Sequence, residues 1–240
     1  MLALFPAGFE EVDKPHGVEL VAYTDAAGEE RLWQVFGGAR STEVADDWET
    51  RWRAFHKPVR VGPLWVGPPW EQAPGDAIAV VVDPGRAFGT GAHATTRLCL
   101  ELLLETRPLE TQSSETPPTA LLDVGCGSGV LAIAAALLGF GPVAAVDVEE
   151  AAVEALRANA GANGVEVDIR LVAQDEALGT WPVAVANISP AAIRDLPGRL
   201  DAALLITSGY LAAEAIALDG FTRVGRRERD GWAADLHCKA

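Results

Sequence analysis

The chain has 240 residues, 49% hydrophobic and 22% charged, and its 19 basic and 34 acidic side chains give a net charge of −15. That apolar fraction excludes a disordered chain, and no apolar run approaches the ~20 residues of a bilayer-spanning helix. Three scattered cysteines (Cys99, Cys126, Cys238) exclude a disulfide framework or a zinc site, so no metal is expected, and the acidity argues against direct nucleic-acid binding, which runs on Lys and Arg.

Residues 1–50 hold 11 acids and 3 bases, a net of −8. The opening MLALFPAGFEEVDK lacks the basic start and long apolar stretch of a signal peptide, so a reducing cytoplasm is the expected compartment. Residues 1–45 are expected to form a small α+β unit, with strands at Glu19–Tyr23 and Leu32–Phe36 around the polar turn TDAAGEE. Residues 46–75 are expected to be a linker. It starts with a short helix (DDWETRWRAF) and continues through the Pro/Gly-punctuated KPVRVGPLWVGPPW with brief strands. Trp48, Trp52, Trp65 and Trp70 are expected to pack it onto the larger domain.

Residues 76–240 read as one α/β domain. IAVVVDPG from Ile78 is a buried strand, and AFGTGAHATTRLCLELLLE is a Gly-rich loop feeding a helix with Leu98, Leu102 and Leu103 at helical spacing. The polar, Pro-rich Thr106–Thr119 is a surface loop. Strands then alternate with helices: strands near 120–124, 143–147, 167–172, 183–187 and 203–207, helices near 129–139, 149–164, 190–199 and 210–218. Two final strands, near 221–226 and 232–238, suggest an edge hairpin. Such alternation predicts an α/β, mainly parallel sheet with helices on both faces, and ligands bind beyond the carboxyl ends of its strands.

The run Asp123-Val-Gly125-Cys-Gly127-Ser-Gly129 follows a strand and opens a helix. Gly125 and Gly127 let a ligand approach the backbone, and Gly129 lets the helix pack near the sheet. Asp147 ends the next strand, 147 − 125 = 22 residues after the first glycine, where an acid accepts hydrogen bonds from ribose hydroxyls. The site therefore suits a nucleoside. A dinucleotide fingerprint would want glycine at position 130, occupied here by Val130, and Asp123 repels a pyrophosphate. A cationic nucleoside fits better: S-adenosylmethionine, with Asp123 and the glycine loop facing its amino-acid end and Asp147 its ribose. Asp175, past the third of these strands, is a candidate partner for the adenine amino group. Asn187 ends the fourth, where its carbonyl can hold a nitrogen nucleophile, making it the candidate catalytic residue. Nothing near Cys126 activates its thiol, so it is a small filler.

The segment Asp83-Pro-Gly-Arg-Ala-Phe-Gly-Thr-Gly-Ala-His93-Ala-Thr-Thr96, followed by LDVGCGSGVLAIAA, VDVEEAAVEALRANAGANGV and VANI, resembles the bacterial methyltransferases that modify ribosomal protein L11. WETRWRAFHKPVRVG is similar to the linker of that family. The resemblance implies a Rossmann-like class I methyltransferase with a seven-stranded sheet. It also implies methyl transfer from S-adenosylmethionine to amino groups, lysine side chain or N-terminal amine, of a basic large-subunit ribosomal protein. Carried over by motif, cofactor contacts fall on Thr96, Gly125, Asp147 and Asn187. Phe88 in the FGTG–HATT loop would be a hydrophobic cover, with His93 beside it. The family begins with a longer ferredoxin-like recognition domain; here MLALFPAGFEEV reads as the end of its first helix, so a truncated recognition unit is expected. A monomer is expected. The competing readings are another protein or small-amine acceptor, a catalytically silent cofactor-binding scaffold, and a nicotinamide dehydrogenase.

Overall fold

The computed structural model describes residues 10–14, 17–21, 26–36, 56–83, 91–106 and 119–240. The chain divides into two compact units, Met1–Arg51 and Trp52–Ala240. In the first, strands β1 (Glu10–Lys14) and β2 (Gly17–Val21) pair antiparallel, and helix α1 covers Ala26–Phe36. Two sequence expectations fail here. Leu32–Phe36 is not a strand but the last part of α1. Leu32, Val35 and Phe36 also stand at helical spacing, and the good helix formers Ala26, Ala27, Glu29 and Glu30 precede them. Glu10–Val12 does not end a helix but pairs across a two-residue connection with β2, a local partner that outweighs its weak helical signal. The expected helix DDWETRWRAF, with Trp48 and Trp52, lies outside the described residues, as does most of the loop Thr106–Thr119.

The second unit opens with a three-stranded sheet of β3 (Val59–Val61), β4 (Leu64–Gly67) and β5 (Ile78–Val81). β3 pairs antiparallel with β4, and β4 parallel with β5. Trp65 is buried in it, whereas Trp70 is half-buried. Helix α2 (Ala94–Thr106) follows, with Leu98, Leu102 and Leu103 all buried as their spacing predicts. Burying each such side chain is worth roughly 1.5–3 kcal/mol.

The main sheet has the order β11-β12-β10-β9-β6-β7-β8. Its strands are β6 (Leu121–Val124), β7 (Val143–Asp147), β8 (Asp168–Leu171), β9 (Gly179–Asn187), β10 (Leu200–Leu211), β11 (Phe221–Arg229) and β12 (Trp232–Lys239). Strands β10, β9, β6, β7 and β8 run parallel, and β12 lies antiparallel between β10 and β11 as the edge hairpin. The central strands are continuous apolar runs because both their faces are covered; edge strand β8 is largely exposed. One face carries α2, α3 (Val130–Leu137) and α4 (Glu150–Asn163), whose buried residues join β6 and β10 in one core. The other carries α5 (Pro190–Arg194), the 3₁₀ turn Leu196–Gly198, Tyr210, Ile216 and Leu218. This is the expected Rossmann-like α/β architecture.

The expected helix 210–218 is absent. β10 runs on to Leu211, and residues 212–220 form an irregular crossover to β11. Leu211 pairs with Trp232, and Phe221 with Lys239 of the same intervening strand. The chain must therefore descend 239 − 232 = 7 strand residues, roughly 23 Å, within nine residues. A helix of that length rises only about 14 Å; near-extended chain reaches, and still buries Ile216 and Leu218. No helix among the described residues is long and apolar enough to cross a membrane.

Candidate functional site

The order of the sheet reverses between β6 and β9, so their carboxyl ends open the crevice in which α/β sheets bind ligands. The glycine loop leaves β6 there and turns at once. Gly125 N and Cys126 N both donate to Val146 O, at 2.8 and 3.1 Å, and Gly129 N donates to Cys126 O at 2.8 Å. Gly125 needs glycine twice over. Its φ is +71°, and a Cβ there would overlap the Ile188 side chain. A Cβ on Gly129 would overlap Leu156 of α4, so the close approach at this glycine is to α4 and not, as the sequence suggests, to the sheet.

Asp147 and Gly127 come together, a contact the spacing alone did not foretell. Asp147 Oδ2 accepts from Gly127 N at 2.9 Å and Oδ1 from Glu149 N at 3.0 Å. The carboxylate thus pins the glycine loop and remains half-buried at the crevice, with lone pairs left over. Asp123 comes just before the same loop. It lies beneath the loop, 1% exposed, because it sits in the four-residue buried strand β6 and turns toward the start of α3. Its Oδ2 accepts from Ala132 N at 3.0 Å, satisfying one of the free amides of the first helical turn. Its Oδ1 is buried with no partner. Burial pushes this carboxyl up to about 7; the Ala132 bond opposes that rise and the Asp147 charge adds to it.

Thr96 and Asn187 lie 91 residues apart in the chain, and Asn187 Nδ2 donates to Thr96 Oγ1 at 3.3 Å. Thr96 is buried in the first turn of α2, and Asn187 is half-buried at the end of β9. Ile188 N then donates to Ser208 O at 3.1 Å. Asp175 is exposed in the turn after β8, also at the carboxyl edge. Phe88 lies outside the described residues. His93 opens α2: its Nδ1 stands 2.8 Å from Thr95 Oγ1, and its ring meets Trp232 edge-on at 4.9 Å. Burial, with Asp123 and Asp147 nearby, pushes the Cys126 thiol up, as befits a filler rather than a nucleophile.

Sequence reasoning passed over two asparagines of α4. Asn159, 4% exposed, donates to Ser128 O of the glycine loop at 2.8 Å and accepts from Asp83 N at 3.1 Å. Asn163 accepts from Val81 N at 2.8 Å and donates to Val81 O at 2.6 Å. Together they tie β5 and the segment after it to the glycine loop. Their one signal was the i, i+4 asparagine pair in RANAGAN, which also reads as an ordinary helix end.

The comparisons with known proteins agree with this geometry. The family model "Ribosomal protein L11 methyltransferase (PrmA)" matches residues 16–239. The chain is 43% identical over 209 residues to the ribosomal protein L11 methyltransferase of Symbiobacterium thermophilum, covering 81% of this chain and 66% of that one. It is 40% identical over 195 residues to that of Thermosynechococcus vestitus, covering 78% and 64%. The chain thus spans just under two thirds of the length of these relatives. The crystal structure of ribosomal protein L11 methylase from Lactobacillus delbrueckii subsp. bulgaricus superposes with a TM-score of 0.64 at 28% identity, covering 76% of this chain and 98% of that one. A parallel sheet with its glycine loop at the switch point, and a family match over nearly the whole chain, lead to one conclusion: the chain belongs to the ribosomal protein L11 methyltransferase family.

Proposed function

We propose that this chain transfers methyl groups from S-adenosylmethionine to amino groups of a protein, ribosomal protein L11, at lysine side chains or the N-terminal amine. The observation that carries the reading is the pair of carboxylates at the glycine loop, Asp123 below it and Asp147 bonded to Gly127 N. Two acids disfavour a pyrophosphate and suit a nucleoside whose other end is cationic. The buried, unpartnered Asp123 Oδ1 is the acceptor that an ammonium reaching the loop would satisfy. S-adenosylmethionine supplies a methyl carbon activated by its sulfonium charge.

The residues then divide the work. Asp147 receives the ribose hydroxyls, Gly125 and Gly127 give the loop its shape, and Asp175 stands on the adenine side. Thr96 stands beside the cofactor, and Phe88 keeps the cover role that the family resemblance implies. Asn187, steadied by Thr96, orients the acceptor nitrogen. Methyl transfer needs chiefly alignment, with reacting atoms about 3–3.5 Å apart. A lysine of ordinary pKa about 10.4 must first lose its proton, and desolvation at the crevice favours the neutral amine. Residues 1–45, within the first compact unit, are the recognition element for a basic protein, 46–75 join them to the catalytic domain 76–240, and the acidity of this segment complements such a substrate. The same reading places a monomeric enzyme in the cytoplasm, acting on protein rather than nucleic acid. The names of the relatives favour L11 over a small amine as acceptor.

Calorimetry tests the cofactor. S-adenosylmethionine should bind the full chain, and Asp147→Ala should weaken it by about 1–3 kcal/mol, the size of a charge-assisted hydrogen bond. A protein that binds NAD and not S-adenosylmethionine overturns the proposal.

A further inference from the structure

We infer that Ile188 is a positioning residue: its Cγ2 methyl, seated on Gly125, holds Asn187 in register with the glycine loop. The inference rests on the reading of Asn187 as the residue that orients the acceptor.

Ile188 is gripped from both neighbouring strand ends. β9 lies between β6 and β10 in the sheet. On the β10 side the main chain is fixed. Ile188 N donates to Ser208 O at 3.1 Å, and Asn187 pairs with Ser208 in the parallel register. The next residue, Gly209, has φ +111°, and any Cβ there would overlap the Ile188 carbonyl. The pairing of β10 with β12 shifts at this point, between Ser208 and Tyr210. β10 thus bulges on a glycine to admit the Ile188 backbone. On the β6 side the Ile188 Cγ2 atom takes the place that a Cβ on Gly125 would fill. One residue therefore touches the cofactor-facing loop with its side chain while its backbone continues from Asn187.

Asn187 needs this help. Its bond to Thr96 Oγ1 is long, at 3.3 Å. This long bond, the one its side chain makes among the described residues, holds the side chain loosely, whereas the adjoining residue cannot move without leaving Gly125 or Ser208.

The geometry asks for a specific shape and not merely for apolar volume. A side chain branched at Cβ delivers a methyl to Gly125 while its main chain stays on Ser208 and Gly209. Valine keeps that methyl. Leucine has the volume of isoleucine but no branch at Cβ, and alanine has neither. Ile188 is half-buried in a connection and packs against one core, so Ile188→Val, which keeps the branch, and Ile188→Leu, which keeps the volume, separate shape from packing.

The test uses the full chain with and without cofactor. The Asn187 side-chain amide is assigned in a nitrogen-15 spectrum of the free protein by its loss in Asn187→Ala. That resonance should keep its position in Ile188→Val and move or broaden in Ile188→Leu and Ile188→Ala. With S-adenosylmethionine and ribosomal protein L11, Ile188→Val should turn over within about twofold of the parent. Ile188→Leu and Ile188→Ala should lose about tenfold or more in kcat, with the cofactor KM little changed, as a misaligned reacting group does. An Ile188→Leu protein with the parent's amide resonance and turnover overturns the inference, since the residue then only fills space. If instead Asn187→Ala turns over normally, the acceptor role of Asn187 fails, while the resonance still decides whether Ile188 positions it.

Discussion

Buried beneath the glycine loop, the Asp123 carboxyl holds a proton that an exposed aspartate would release. Its folded-state value, about 7, lies above its ordinary 3.8. Between those two values the folded protein binds more protons than the unfolded one, so this group's contribution to stability is greatest below pH 4 and is lost as pH rises through 7. Asp123→Asn should therefore raise stability at pH 8, with a margin that shrinks toward pH 5, as read by urea denaturation at the two values. At pH 8, where this carboxyl is ionised, the same change should weaken S-adenosylmethionine by about tenfold or more, because a charged acceptor is lost. A variant less stable than the parent by the same margin at both pH values would show that the carboxylate is well partnered. Asp147 and Asn187 were legible in the sequence because each ends an apolar strand run. Asn159 and Ile188 were not. The partners of Asn159 lie 31 and 76 residues away, and Ile188 matters through Gly125, which reads only as a place for ligand approach, and Gly209, which carries no signal of its own.

The elements were legible where each could be built from its own residues. β7 and α4 fall where their apolar runs and spacing put them. The crossover 212–220 was not legible, because YLAAEAIAL favours a helix and only the span between β10 and β11 forbids it. α1 was misread for the opposite reason: its apolar end taken alone resembles a strand, and the helix formers ahead of it decide. The small sheet's attachment was equally hidden. Asn163 of α4 bonds both backbone groups of Val81 and so completes β5 as a neighbouring strand would. Asn163→Ala should cost about 1–3 kcal/mol of unfolding free energy, since it leaves these groups unpaired. Chemical denaturation checks this, and an unchanged midpoint would mean that water replaces the side chain without loss.

For the whole molecule, charge is the property that composition disclosed and the fold does not alter. On the proposed function, the net −8 of residues 1–50 complements a basic substrate. Exposed charges are screened over about 8 Å at physiological salt. Added salt should therefore raise the apparent KM for the protein substrate and leave cofactor affinity nearly unchanged; a KM indifferent to salt would make the segment an ordinary solvated surface. The α/β alternation and the edge hairpin were readable because parallel sheets announce themselves by order and apolar runs. The proposed acceptor rests on resemblance alone, since a site proposed to take an amine does not say whose amine it is. The most direct measurement is therefore the intact mass of purified ribosomal protein L11 after incubation with this chain and S-adenosylmethionine. The account predicts mass increments of whole methyl groups, located by peptide mapping on lysine side chains or the N-terminal amine, and lost with Asn187→Ala. An unmodified L11 in the presence of an enzyme that demonstrably binds S-adenosylmethionine would contradict it.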